Sequence, residues 1–215
     1  MAESNDRQKR VTITLEYVAT EDTDDDYGSA FYVAGGAATG PRSGSKRKAL
    51  LTYPVTLDDV GRDTAGSGRF ERGDCIIFDD NVYVDDFVEF GLQFCTYTSD
   101  FGDEDTLRSL TSTLTAHIET AVESLPSVAN GAVAGAILAA TPPALAIRPT
   151  LGEGGTIFGT VQKRVNVADW PDGDNEYMWT LADQSWKHDK ERGEFASRQW
   201  TYHITYKVDV QPVLT

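Results

Sequence analysis

"WTYHITYKVDV", residues 200–210, decides the fold class. Trp200, Tyr202, Ile204, Tyr206, Val208 and Val210 alternate with Thr201, His203, Thr205, Lys207 and Asp209. Successive side chains of a strand point to opposite faces. The alternation therefore gives one buried and one wet face, as in antiparallel sheets. Val11, Ile13, Leu15 and Tyr17 repeat the pattern near the N-terminus, and Val88, Phe90, Leu92 and Phe94 repeat it in the middle. Weaker strand candidates lie at 29–34, 48–56, 69–78, 156–167 and 176–182. Eight short strands in 215 residues predict a mainly β chain: an antiparallel eight-stranded β-sandwich, one domain spanning residues 1–215.

One segment changes period. Leu107, Leu110, Leu114, Ile118, Ala121, Val122 and Leu125 follow helical spacing. Asp103 or Asp105 can cap this helix and Pro126 ends it. Ser127 can cap a second helix running to about Thr141, which Pro142 and Pro143 stop. Its Gly131, Gly135 and Ala139 lie four apart and form a stripe that lets another backbone approach closely. The expectation is a helical hairpin inserted at about 103–142. The Gly/Ser-rich basic stretch 35–48 reads as a mobile loop.

The net charge is -15, from 34 acidic and 19 basic residues. Such a charge disfavours nucleic acid and anionic membranes as partners. Asp outnumbers Glu 22 to 12, and Arg outnumbers Lys 12 to 7. In composition the chain resembles haloarchaeal or haloarchaeal-virus proteins; the alternative is an ordinary acidic protein. At about 1 M salt the Debye length is near 3 Å, so self-repulsion is screened there and not in dilute buffer. The N-terminal "MAESNDRQKR" lacks the apolar run of a signal peptide. The longest uncharged run, 129–147, is broken by prolines and falls short of a membrane span of about 20 apolar residues. Cys75 and Cys95 form no CxxC pair, and a disulfide between them is not expected.

"DDNVYVDDFVEF", residues 79–90, sets Asp79, Asp80, Asp85, Asp86 and Glu89 among core-forming residues. The reading is a strand closed by Asp79 and Asp80, a turn near Asn81, then a second strand. Parity from Val88 to Phe94 aims Asp86 inward and puts Phe87 and Glu89 on the opposite face. An inward carboxylate is costly unless partnered, so Asp86 needs a cation, a basic side chain or backbone N–H groups. Asp85 is expected to be solvated or to face a neighbouring subunit.

Two more acidic loops stand out. "EDTDDDYG" (21–28) offers Asp22, Asp24 and Asp26, and "DWPDGDNEY" (169–177) offers Asp172, Asp174 and Glu176. Carboxylates from separate loops at one end of a sandwich can bind calcium. With Asp86 these six form the candidate metal set, and calcium is the candidate cofactor. Tyr27 stands where an EF-hand loop needs Gly, so that motif is excluded. The competing reading is solvated turns. Asp-rich loops joining the strands of an eight-stranded sandwich resemble C2-type domains, and the resemblance implies calcium at one end. It covers the strands and not the helical insertion.

No catalytic constellation emerges. His117, His188 and His203 have no partners at metal or triad spacing. "GPRSGSK" (40–46) lacks phosphate-loop spacing, and "RGD" (72–74) reads as a turn leading into a strand. The expected role is non-enzymatic: a structural or interaction protein, a subunit of a larger assembly such as a turret or decoration protein of a halophile virion. Its partners are then copies of itself, as a homo-oligomer, and other assembly proteins. The alternatives are a calcium-dependent C2-like binding module, extracellular or cytoplasmic, and a membrane-active pore-forming effector.

Overall fold

The computed structural model describes residues 7–21, 30–52, 55–57, 66–70, 75–97, 109, 112–113, 116–117, 120, 132–140, 156–189 and 194–213. They form strands β1 (Gln8–Glu21), β2 (Ala30–Thr39), β3 (Arg47–Leu51), β4 (Val55–Thr56), β5 (Ser67–Arg69), β6 (Ile76–Tyr83), β7 (Phe87–Tyr97), β8 (Thr156–Asn166), β9 (Gly173–Asp189) and β10 (Glu194–Pro212). Helix α1 (Ala132–Ala140) falls between β7 and β8. All strand pairs are antiparallel. One sheet runs β9–β10–β1, with β5 and β6 along the far side of β1. The other runs β8–β7–β2, with β3 and β4 along the far side of β2. The chain is mainly β and sandwich-like, as the alternating segments predict, with ten described strands where eight were expected.

The core lies between the sheets. Tyr202, Ile204, Tyr206, Val208 and Val210 of β10 face Val88, Phe90, Leu92 and Phe94 of β7, all buried. On β1 the inward set is Val11, Ile13, Leu15 and then Val18. A bulge between Leu15 and Tyr17 supplies the extra residue that brings Val18 inward. Phe31 packs at 5.6 Å from Tyr202 and 6.0 Å from Phe70, and Trp179 stacks on Tyr206 at 3.8 Å. Burying a side chain of this kind contributes about 1.5–3 kcal/mol. Cys75 and Cys95 are free and buried, and burial pushes the Cys95 thiol up to about 12.

A third layer covers the outer face of the second sheet. Val133 and Ile137 of α1 pack on Ala34 and Ala38 of β2. Under the helix β2 is made of small residues and β7 carries Gly91, and the backbones come close. A Cβ on Gly91 of β7 would sit 2.4 Å from the Ala134 carbonyl oxygen. The helix's own small-residue stripe is not what permits this approach. Gly135 has open space around its Cβ direction and Ala139 is exposed. Gly131 lies outside the described residues.

Three expectations need correction. The stretch 35–48 is not a loop: Gly35 to Thr39 complete β2, Pro41–Ser43 form a 3-10 turn, and Arg47 begins β3. The turn of 79–90 is not at Asn81, and Asp79 and Asp80 do not close a strand. β6 runs on to Tyr83 and the chain turns at 84–86. Nor is this a hairpin, since β6 belongs to one sheet and β7 to the other. Of the expected first helix, Ser109, Ser112, Thr113, Ala116, His117 and Thr120 are helical and exposed, and its other positions lie outside the described residues.

Candidate functional site

The corner between the sheets, where β6 gives way to β7, gathers five carboxylates and their partners. Each of the five carboxylates of 79–90 has a specific partner. Asp79 accepts from both Arg10 Nε and Nη2 at 3.0 Å and from the Thr12 hydroxyl at 2.9 Å. The Arg10 hydrogen bonds hold its carboxyl below the usual carboxylate range. Asp80 pairs with Lys46, whose ammonium also donates to the Asn81 carbonyl at 2.9 Å. Asp85 is exposed, as its outward parity predicts, and is ion-paired with Arg42. Arg42 also lies 4.9 Å over the Tyr83 ring. The basic residues of 42–48 thus supply counter-charges for the acids of 79–86.

Asp86 is buried, and its partners are backbone donors. Ser43 N–H donates to Oδ2 at 2.7 Å and Phe87 N–H to Oδ1 at 2.9 Å. Its own carbonyl accepts from Val167 N–H at 3.0 Å. One aspartate therefore joins the 3-10 turn after β2, the start of β7 and the turn after β8. Such charge-assisted bonds are among the stronger ones in proteins.

Glu89 went unremarked in the sequence as anything but outward-facing. Its parity is as expected, yet it is 1% exposed because α1 lies over it. Oε1 accepts from Ala134 N–H at 3.0 Å in the first turn of α1, where the helix dipole favours a carboxylate. Among the described residues Oε2 has no hydrogen-bond partner. Gln93, two pleat repeats further on, donates to the Leu138 carbonyl at 3.2 Å. The two side chains grip opposite ends of the helix. The signal was available: polar residues at alternate positions of a strand whose other face is core, beside a small-residue strand, call for a covering element.

The described remaining candidate ligands, Asp172, Asp174 and Glu176, form no metal cluster. Asp172 pairs with Lys9 at 2.9 Å. Asp174 and Glu176 are exposed on the outer face of β9, with Asp209 and Lys207 of β10 as their cross-strand neighbours. Asp22, Asp24 and Asp26 lie outside the described residues. Among the described residues, no group of three His, Cys, Asp or Glu side chains is arranged to hold a metal. His203 stands 3.1 Å from the Thr180 hydroxyl on the outer face of β10, and His117 is exposed. The outer face of the first sheet carries two shallow depressions, about 330 and 480 Å³, that share Glu16, Arg69 and Lys207. They lack the enclosed apolar lining of a small-molecule site. Among the described residues no helix is long and apolar enough to cross a membrane, which leaves open a crossing by strands.

No family model matches the chain. No curated protein matches it either. Among solved structures it is similar at 10% identity to the InvG secretin domain β-barrel of the Salmonella SPI-1 injectisome, with a TM-score of 0.15 over 97% of this chain and 64% of that one. The InvG secretin in its open gate state gives 10%, 0.16, 97% and 61%. The T2SS secretin XcpQ of Pseudomonas aeruginosa gives 7%, 0.14, 99% and 60%. The chain spans about three-fifths of the length of these structures. Likeness at this level carries no argument about function.

Proposed function

We propose that the chain is a non-catalytic structural subunit of a larger homo-oligomeric assembly, concretely a surface or turret-like decoration protein of a virion exposed to high salt. The observation that carries the reading is the β9–β10 ribbon. These strands pair over 17 residues each, from Val210↔Gly173 to Glu194↔Asp189. Among the described residues β1 follows β10 as far as Thr201. Seven further pairs, Trp200↔Asp183 to Glu194↔Asp189, therefore run past β1 as a two-stranded ribbon about 24 Å long. Among the described residues no third strand joins it. A two-stranded ribbon alone is marginal in water and gains from contact with further structure. The high-salt component rests on the charge of -15 and the scarcity of lysine.

Two measurements test this. Light scattering in about 2–3 M KCl is expected to give a mass several times the 23.5 kDa of one chain. A monomer mass at every salt and protein concentration overturns the assembly reading. The melting temperature is expected to climb between about 0.1 and 3 M salt, as the Debye length shrinks from about 10 Å to below 3 Å. A flat profile overturns the adaptation to salt and leaves the assembly untouched.

A further inference from the structure

From the flank of the sandwich that carries β8 and β9, we infer a two-fold symmetric dimer in which β9 of each copy pairs antiparallel with β8 of the other. This deepens the proposed assembly role and rests on it. Among the described residues both strands are edges: β8 pairs only with β7 and β9 only with β10. They lie on the same flank, since a Cβ on Gly159 of β8 would come within 2.9 Å of Leu181 of β9. A short turn, 167–172, joins them, and with Gly159 beside Leu181 the two strands run antiparallel to each other. A two-fold axis parallel to the strands, midway between the sheets, carries β8 of one copy to the level of β9 of the other. Both sheets then continue across the axis, and the same contact is made twice, as a closed dimer requires.

The charges of the two edges are complementary. In a chain of net charge -15, β8 presents Arg164 on its outward face and Lys163, also exposed, on the opposite one. β9 presents Asp174 and Glu176, also exposed. Asp174 stands directly across from Asp209 on β10, a like-charge pair that destabilises a sheet unless a cation is near. Residues of even number point outward on both edges, so a register with Glu176 opposite Arg164 keeps the faces continuous. That register sets the Arg164 guanidinium, stacked 3.4 Å over the Phe87 ring, beside Asp174 and Glu176 of the other copy. It also covers Met178, which is 59% exposed.

β9 lacks two of the usual protections of an edge, a bulge and a proline. Its pairing with β10 has no register shift, and its sequence from Gly173 to Asp189 contains no proline. The segments 174–181 and 159–166 give two ladders of eight residues each, enough for a specific interface.

The test uses charge reversal on one edge at a time, in the full chain. One variant carries Asp174→Arg with Glu176→Arg, the other Lys163→Glu with Arg164→Glu. Each alone repels its own copy at both ladders, whereas the mixture is complementary at both. In sedimentation and light scattering the wild type is expected to dimerise, each variant alone to dissociate at least tenfold more readily, and the equimolar mixture to recover a heterodimer. A variant that merely misfolds cannot rescue its partner. A wild type that assembles while both variants assemble equally well overturns the edge pairing and leaves the assembly role standing. Variants that fail to associate even when mixed also overturn it. A wild type that stays monomeric overturns both readings.

Discussion

Gly35→Ala is expected to destabilise the fold by about 3 kcal/mol, the upper range for forcing atoms into a packed interior. The added Cβ would stand 2.1 Å from the Gly91 carbonyl oxygen and 2.9 Å from the Leu92 Cα on the neighbouring strand. Both are backbone atoms of β7, so no side chain can swing aside. Either β2 or β7 must shift, and β7 carries Phe90, Leu92 and Phe94 into the core. Urea unfolding should show the midpoint falling by roughly 1–3 M, given slopes of about 1–3 kcal/mol/M. Gly135→Ala is the control. Nothing lies within 4 Å of its Cβ direction, and Ala is favoured over Gly in a helix by about 0.5–1 kcal/mol. That variant is expected to be as stable as the wild type or slightly more so. Equal behaviour of the two would refute the close approach of β2 and β7.

The second large effect is at the corner between the sheets. Asp86→Ala removes a buried acceptor and strands the N–H groups of Ser43 and Phe87. Each unsatisfied buried donor costs about 1–3 kcal/mol, so a loss of about 2–3 kcal/mol is expected. Asp85→Ala, one residue earlier, removes only an exposed ion pair with Arg42 and is expected to cost at most about 1 kcal/mol. Thermal melts of the pair read the contrast directly. The Asp86 variant should also speed amide exchange at Ser43 and Phe87, which the Asp85 variant should leave alone. Equal stability losses would mean that Asp86 does not join the turns.

The sandwich was legible because its three best strands, 11–17, 88–94 and 200–210, each have one wet or polar face. Parity alone aimed Asp86 inward, and the structure supplies it with two backbone donors. β2 was legible only in part. "VAGGAAT" offers no period to read, because its residues are small on both faces: one side meets the other sheet and the other lies under α1. The turn near Asn81 was misplaced for a different reason. Asn and Asp favour turns, but Asp79 is held in β6 by Arg10 and Thr12 of β1, and Asp80 by Lys46. Those partners are 34 to 69 residues away in sequence, beyond any local pattern. The β9–β10 extension past β1 escaped notice too, since it is a matter of pairing length and not of composition.

β1 is hydrogen-bonded along most of its length to β10, with Lys9 opposite Pro212 and Glu21 opposite Thr201. β1 thus waits for a partner some 180 residues further along the chain, and until β10 emerges its described partners are β5 and β6 alone. Contacts of such long sequence separation put this topology among the slow folders, with exposed strand edges as the hazard during synthesis.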